Sequence, residues 1–109
     1  MTVKEIPALI EGTVVVKGDD QREVTGVYCC DMLSQVMGRA PADCAWVTIM
    51  GGVNAVAVSA LADTACIIVA EGLDVDADAV VKAREQDIPV LRTPLPIFEA
   101  AKRIDKALS

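Results

Sequence analysis

The chain has 109 residues, a formal charge of −6 and no histidine, and 53% of its residues are hydrophobic while only 3% are aromatic. This length predicts one domain, residues 1–109, with a core of Val, Ile, Leu and Ala. The acidic charge and the lack of a Lys/Arg cluster argue against nucleic-acid binding. Because no apolar run reaches about 20 residues and the N-terminus lacks a signal-peptide core, we expect no membrane association and a cytoplasmic location.

The first elements are a short helix and a strand. Thr2 and Glu5 have the spacing of a capping box, which opens a helix. Pro7 falls where the helix needs a bonded N–H, so this helix should be short or kinked and end by Gly12. The β-branched segment Thr13–Lys17 predicts the first strand.

The second strand is predicted at Glu23–Tyr28, interrupted by Gly26. A short turn separates the first two strands, which predicts that part of the sheet is antiparallel. Asp31 is a suitable N-cap for the next short helix, and Gly38 would follow its last turn.

The central unit consists of a strand at Cys44–Met50, a Gly51-Gly52 turn, an apolar helix from about Asn54, and a strand at Ala65–Ala70. Two apolar strands joined by a helix form a parallel βαβ unit. Neither strand alternates between polar and apolar residues, so both should be covered on both faces. The helix lacks a polar face and is predicted to be buried as well.

The rest of the chain continues the alternation. A helix capped by Asp76 or Asp78 runs to about Gln86, and a strand follows at Ile88–Arg92. The last helix opens near Pro94 or Pro96. Its predicted inner face is Ile97, Ala101, Ile104 and Leu108. About five strands alternating with helices predict a three-layer α/β/α sandwich around a mixed, mostly parallel sheet.

Three segments carry a family resemblance: GVYCCDML, WVTIMGGVNAVAVSALADTACIIVAEG and DADAVVKAREQDIPVLRTPLPIFEAAKRI. They resemble the DRTGG-domain family. The resemblance implies a compact α/β/α domain similar to the N-terminal domain of bacterial HPr kinase/phosphorylase. In fusions with phosphotransacetylases and CBS-domain pyrophosphatases the module is regarded as regulatory and often dimerises, which implies a homodimer here.

The chain departs from the family's naming motif. Gly51-Gly52-Val53 stands in place of the Gly-Asp-Arg triplet, and Ala70-Glu71-Gly72 stands in place of Thr-Gly-Gly. By position, the resemblance carries over Gly51, Gly72 and, more weakly, Thr93. HPr kinase activity is not expected, because the chain has no Gly-x4-Gly-Lys-Ser/Thr loop to hold ATP phosphates. We expect no enzyme activity and no cofactor.

A ligand of this fold should bind at the carboxyl ends of the strands. Glycines allow close approach of the backbone, and the following helix presents free N–H groups to an anion. The candidate ligand-binding residues are Thr48, Gly51, Gly52, Asn54, Glu71, Gly72 and Thr93. The competing interpretation of the double glycine is a tight strand-to-helix turn with Asn54 as its cap.

The four cysteines have no metal-binding spacing, so no metal site is predicted. Cys44 and Cys66 lie in apolar strands and should be core residues. Cys29-Cys30 lies at a strand end before a helix, where a thiol pKa can fall, so it is a candidate redox pair. The acidic run Asp74–Asp78 copies part of a calcium loop but lacks the required glycine, and it is better explained as a helix start.

The sequence therefore predicts a non-catalytic regulatory or interaction module that forms a homodimer and transmits a partner-bound or ligand-bound state. One alternative is a sensor of a nucleotide or other anionic metabolite at the Gly51-Gly52 loop. Another is a thiol redox switch at Cys29-Cys30. A protein partner or a nucleotide-like small molecule is expected, and no nucleic acid.

Overall fold

The computed structural model describes residues 1–109, whose five strands join in one sheet. The strands are β1 (Thr13–Val16), β2 (Gly26–Cys29), β3 (Cys44–Thr48), β4 (Cys66–Val69) and β5 (Val90–Arg92). Their spatial order is β1-β5-β4-β3-β2. Strands β2 to β5 are parallel and β1 alone is antiparallel, so the mixed, mostly parallel sheet is confirmed.

Five helices cover both faces of the sheet. They are α1 (Ile6–Leu9), α2 (Leu33–Arg39), α3 (Val53–Ala62), α4 (Ala77–Glu85) and α5 (Ile97–Leu108). Helices α2, α3 and α4 share one apolar cluster with one face of the sheet, and α1 and α5 share a second cluster with the other face. The three-layer α/β/α sandwich predicted from the alternation of elements is confirmed.

The order of the strands explains how the helices divide between the faces. Because β2, β3, β4 and β5 follow one another across the sheet, their connecting helices α2, α3 and α4 lie on the same side. Helix α5, which follows β5, crosses to the opposite side and packs on β2 and β3. The chain therefore leaves β4 and β5 toward opposite faces, which is the arrangement that opens a crevice at the carboxyl ends of neighbouring parallel strands.

Strands β3 and β4 form the middle of the core. Every residue of both strands is buried, which confirms the predicted coverage of both faces. The single tryptophan, Trp46, is fully buried, and its indole Nε1 donates a hydrogen bond to the Cys30 carbonyl at 2.9 Å. This bond satisfies the one polar atom of the side chain and holds the end of β2 against β3.

The first two strands do not form a hairpin with each other. Strand β1 is antiparallel, as predicted, but its partner is β5, and β2 lies at the opposite edge of the sheet. Residues 17–25 carry the chain from one edge to the other. Gly26 begins β2 and does not interrupt it. Local turn chemistry indicates that the chain reverses, but it carries no information on which strand lies alongside.

Two predicted caps are also wrong. Helix α2 begins after Met32, and Gly38 lies within its last turn. Asp31 instead accepts hydrogen bonds from the Thr48 hydroxyl at 2.8 Å and from the Ile49 N–H at 3.0 Å. The carboxylate therefore holds the ends of β2 and β3 together, a tertiary contact that competes with capping.

Helix α3 and the end of β3 also differ from the prediction. Gly52 is the N-cap of α3, and Asn54 lies in its first turn. Only one side of α3 is buried, and Leu61 on the other side is 73% exposed. Strand β3 ends at Thr48, so Met50 lies beyond it. The prediction that α3 is buried was wrong because small and apolar residues also occupy the solvent-facing side of this helix.

The N-terminal segment matches its prediction. The Thr2 N–H donates to the Glu5 carboxylate at 2.6 Å, and a turn at Val3–Glu5 leads into the short α1.

No helix in the chain is both long enough and apolar enough to cross a bilayer.

Candidate functional site

The loops that follow β3, β4 and β5 meet at the carboxyl edge of the sheet. The Gly51 carbonyl accepts a hydrogen bond from the Asp76 N–H at 2.9 Å. The Gly72 N–H donates to the Thr93 carbonyl at 3.0 Å, and the Glu71 N–H donates to the Leu95 carbonyl at 2.9 Å. The predicted residues therefore lie along one edge, but in two groups, one around Gly51 and one around Gly72.

Another loop of the same chain packs against the Gly51-Gly52 turn. A Cβ atom added to Gly51 would overlap the carbonyl oxygen of Asp74. A Cβ added to Gly52 would lie 3.6 Å from the nearest Asp76 carboxylate oxygen, an ordinary contact. The close approach that requires Gly51 is therefore to the protein's own loop. Asn54, in the first turn of α3, remains exposed to solvent.

Three of the predicted polar residues are engaged in internal hydrogen bonds. The buried Thr48 hydroxyl donates to Asp31 and accepts from the Met50 N–H at 3.2 Å. The Thr93 hydroxyl is also buried, and it donates to the carbonyl of Ile10. The Glu71 carboxylate accepts from the Ile97 N–H at 2.9 Å and so occupies the N-terminus of α5. These side chains hold loops and a helix end in place.

An open cavity of about 270 Å³ lies beside the second group, and it contains an arginine that the sequence did not single out. Its lining consists of Thr13, Gly72, Arg92, Thr93 and Pro94. Arg92 was visible as the last residue of the last strand, and the parallel pairing of β4 and β5 brings it to the loop after β4.

The Arg92 side chain binds the loop after β4 in two ways, through a backbone carbonyl of the loop and through one of its carboxylates. Its Nε atom donates to the Leu73 carbonyl at 2.9 Å. A terminal guanidinium nitrogen lies 2.8 Å from the Asp74 carboxylate, which is largely exposed. An exposed ion pair of this kind contributes little to stability, so the guanidinium can exchange Asp74 for another anion at small cost.

The carboxyl edge also exposes a row of large apolar side chains. Met32 follows β2 and is 65% exposed, Ile49 and Met50 follow β3, and Leu73 follows β4. We call these four residues the apolar rim. The Asp31 bond to Ile49 and the contact of Gly51 with the loop at Asp74 link the three loops that contain these residues. No local sequence pattern identifies this row, because its members are dispersed along the chain.

A second exposed apolar surface lies along β2 and α5. Phe98 is 73% exposed, and it borders an open depression of about 460 Å³. The lining residues are Val27, Cys29, Phe98, Ala101, Lys102 and Asp105, which we call the β2–α5 face. The outer edge of β2 has no partner strand. The face therefore combines an unpaired strand edge with an exposed apolar stripe.

The cysteines are all free thiols. Burial raises the pKa of Cys44 to about 11 and that of Cys66 to about 12, as expected of core residues. At Cys29 the pKa is also raised, by desolvation first and by the Asp31 carboxylate second. A raised pKa lowers the thiolate fraction at neutral pH, so this environment does not activate Cys29. The redox hypothesis for Cys29-Cys30 stays a prediction.

The acidic segment after β4 does not gather metal ligands. No three Cys, Asp or Glu side chains converge in a way that would hold a metal ion. Asp76 is instead the N-cap of α4, and Asp78 lies in its first turn. This placement agrees with the interpretation of the segment as a helix start.

No curated protein sequence matches the chain. A similar fold occurs in the solved structure of the CBS and DRTGG domains of the regulatory region of Clostridium perfringens pyrophosphatase, complexed with its activator diadenosine tetraphosphate. The TM-score is 0.73 and the sequence identity is 14%, so this likeness shows the fold alone. The match covers 98% of this chain and 47% of the clostridial chain, so the protein described here spans about half the length of the clostridial chain. The sequence profile of the DRTGG domain matches residues 5–107, and the chain therefore belongs to the DRTGG-domain family.

Proposed function

We propose that this chain is a non-catalytic regulatory module that works as a homodimer and passes a partner-bound or ligand-bound state from one copy to the other. Membership of the DRTGG family supports a regulatory role, since the similar fold in the clostridial pyrophosphatase belongs to a regulatory region. The lack of a phosphate-binding P-loop in the sequence supports a role without kinase chemistry. The main structural support for the homodimer is the exposed β2–α5 face.

The chemistry of the β2–α5 face suits a second copy. Strand edges without partners pair readily with another strand, and exposed apolar patches favour association. Lys102 and Asp105 lie almost one turn apart on the exposed side of α5. In a two-fold pair of antiparallel α5 helices, each Lys102 can face the Asp105 of the other copy. The face therefore has the polarity and the charges to pair with itself.

The dimer predicts a specific response to one substitution. Wild-type protein should have the mass of a dimer by native mass spectrometry, and Phe98→Glu should shift it to monomer, because each copy would then bury a carboxylate in the apolar part of the face. Leu61→Glu is the matched control. Leu61 is also 73% exposed, but it lies on α3, far from this face in the fold, and its variant should remain dimeric. A monomeric wild-type protein contradicts the proposal.

A second candidate function is binding of a nucleotide-like anionic ligand, favoured by the cavity at Arg92. The clostridial regulatory region was crystallised with a dinucleotide activator. In this chain the cavity offers one guanidinium, the Thr13 side chain and the exposed backbone at Gly72. The originally predicted Gly51-Gly52 loop is the competing location, and it is less open because Gly51 packs against the loop at Asp74.

Calorimetric titration with diadenosine tetraphosphate separates these locations. If the ligand binds at the cavity, Arg92→Gln should weaken binding by about tenfold or more, the loss expected for one charge-assisted contact. Arg39→Gln is the control, because Arg39 is exposed in the last turn of α2, a helix that contributes no residue to the cavity. Loss of binding in Gly52→Asp, with Arg92→Gln unaffected, would place the ligand at the glycine loop. No binding by the wild-type protein rejects this nucleotide.

A further inference from the structure

We propose that the apolar rim docks a basic amphipathic helix of a partner protein. The proposal rests on the regulatory role given above, since it names the partner whose binding the module would transmit. The rim residues Met32, Ile49, Met50 and Leu73 are all exposed although each directly follows or lies close to a strand of the buried sheet. Two of the four are methionines, whose flexible and polarizable side chains adapt to an apolar partner.

The order of the rim loops across the sheet suits a helix. Strands β2, β3 and β4 are neighbours, and neighbouring strands lie about 4.8 Å apart, so the loops that contain the rim residues follow one another across the edge. Residues three and four apart on a helix are about 5–6 Å apart along one face. A helix lying across the ends of the three strands can therefore place successive apolar side chains beside successive rim residues.

The charges around the rim select a basic partner. Five exposed carboxylates border it, from Asp31, Glu71, Asp74, Asp76 and Asp78. Arg92 is the guanidinium among these loops, and Asp74 already pairs with it. A partner with Lys or Arg flanking its apolar stripe would meet this acidic border with favourable electrostatics, whereas an acidic helix would be repelled.

An added strand is a poorer occupant because the backbone at the rim is already hydrogen-bonded. The N–H groups of Ile49 and Met50 donate to Asp31 and Thr48. The Leu73 N–H donates to the Ala70 carbonyl, and the Leu73 carbonyl accepts from Arg92. The rim therefore offers side chains and charge to a partner, but no free backbone groups. A helix suits such a surface because its own backbone groups are hydrogen-bonded internally and need no partner.

The test uses the full chain and a fluorescent synthetic helix of Leu and Lys, about 18 residues long, with its Leu residues on one face. Fluorescence anisotropy should show saturable binding that weakens as salt is added. A Leu/Glu helix and a scrambled Leu/Lys peptide of the same composition should bind at least tenfold more weakly. Met32→Ser/Ile49→Ser should lower the affinity at least tenfold, while Met37→Ser/Leu61→Ser, which removes two exposed apolar side chains elsewhere, should not.

The outcomes separate this proposal from the dimer. Equal binding of the scrambled peptide would show attraction by charge alone and would overturn it, as would no binding or an unaffected Met32→Ser/Ile49→Ser variant. If that variant instead converts a dimer to a monomer, a second copy occupies the rim and the helix proposal fails. A monomeric wild-type protein that binds the Leu/Lys helix through the rim would refute the homodimer and leave the rim proposal intact.

Discussion

Acidic residues hold several of the tight turns of this protein. All the non-glycine residues with left-handed backbone are acidic, at Glu11, Asp43, Asp63, Glu71 and Asp87, with φ between 53° and 65°. Such a conformation costs roughly 1–2 kcal/mol for a residue with a side chain. At four of them a contact of the side chain offsets this cost, and at Glu11 this contact is the ion pair with Arg103. Asp43 and Asp63 both pair with Arg22, and Glu71 accepts the Ile97 N–H.

The two buried thiols predict how stability depends on pH. In the unfolded chain they ionise near the ordinary pKa of 9.0, whereas the folded protein raises the pKa of Cys44 to about 11 and that of Cys66 to about 12. The folded state therefore keeps protons that the unfolded state loses, and stability falls between pH 9 and about pH 12. Each thiol should remove about 1.4 kcal/mol of the unfolding free energy per pH unit between pH 9 and its own folded pKa, about 11 for Cys44 and about 12 for Cys66.

Urea unfolding at pH 8 and pH 10 checks this, with the fluorescence of the buried Trp46 as the signal. Cys66→Ala should reduce the loss of stability between the two pH values by about 1.4 kcal/mol, whatever its effect at pH 8. Cys29→Ser, at an exposed cysteine, is the control and should keep most of the pH dependence. A Cys66→Ala variant that loses as much stability as the parent would show that this thiol is not the cause.

The turn between β3 and α3 shows how an element boundary can be set by a distant loop. Gly51 lies against the backbone at Asp74, while Gly52 caps α3 with ordinary extended backbone, φ −92° and ψ 169°. Adjacent glycines that look equivalent in the sequence thus have different physical requirements. The first needs the absence of a Cβ, and the second does not.

Alanine substitutions distinguish the two glycines. Gly51→Ala should lower the free energy of unfolding by about 2 kcal/mol, because a backbone carbonyl cannot move aside for the new methyl group. Gly52→Ala should change it by less than about 1 kcal/mol, the size of a modest capping effect. Chemical denaturation followed by Trp46 fluorescence measures both. Equal effects of the two variants would contradict the packing of Gly51 against the loop.

The whole molecule presents its two candidate surfaces on different parts of the sandwich. The β2–α5 face is available because β2 is an edge strand and α5 leaves one stripe uncovered. The carboxyl edge is available because the chain leaves β4 and β5 toward opposite faces. The proposed dimer uses the first surface, and the proposed partner or ligand uses the second. They meet near the end of β2, where Cys29 precedes Asp31 and Met32, which offers a short route for coupling.

Most of the secondary structure could be predicted from the sequence by itself. Continuous apolar runs identify β3 and β4 because both faces of these strands are buried, and alternation of strands with helices identifies the α/β/α class. The four-, three- and four-residue spacing in the last helix found its inner side, although the structure buries Ala100 with Ile104 and leaves Ala101 half-buried. Local periodicity thus finds a helix more reliably than its exact orientation.

The arrangement of the candidate sites was decided only by the tertiary structure. The carboxyl edge was predictable, since parallel strands end at the same side of a sheet. The neighbour of β1, the contact of Gly51 with Asp74 and the approach of Arg92 to Asp74 were not, because each joins segments that are distant in sequence. The apolar rim likewise combines residues from three loops. Local sequence patterns record the covalent neighbours of each residue, whereas these surfaces arise from strand order, which depends on how all the apolar faces are buried together.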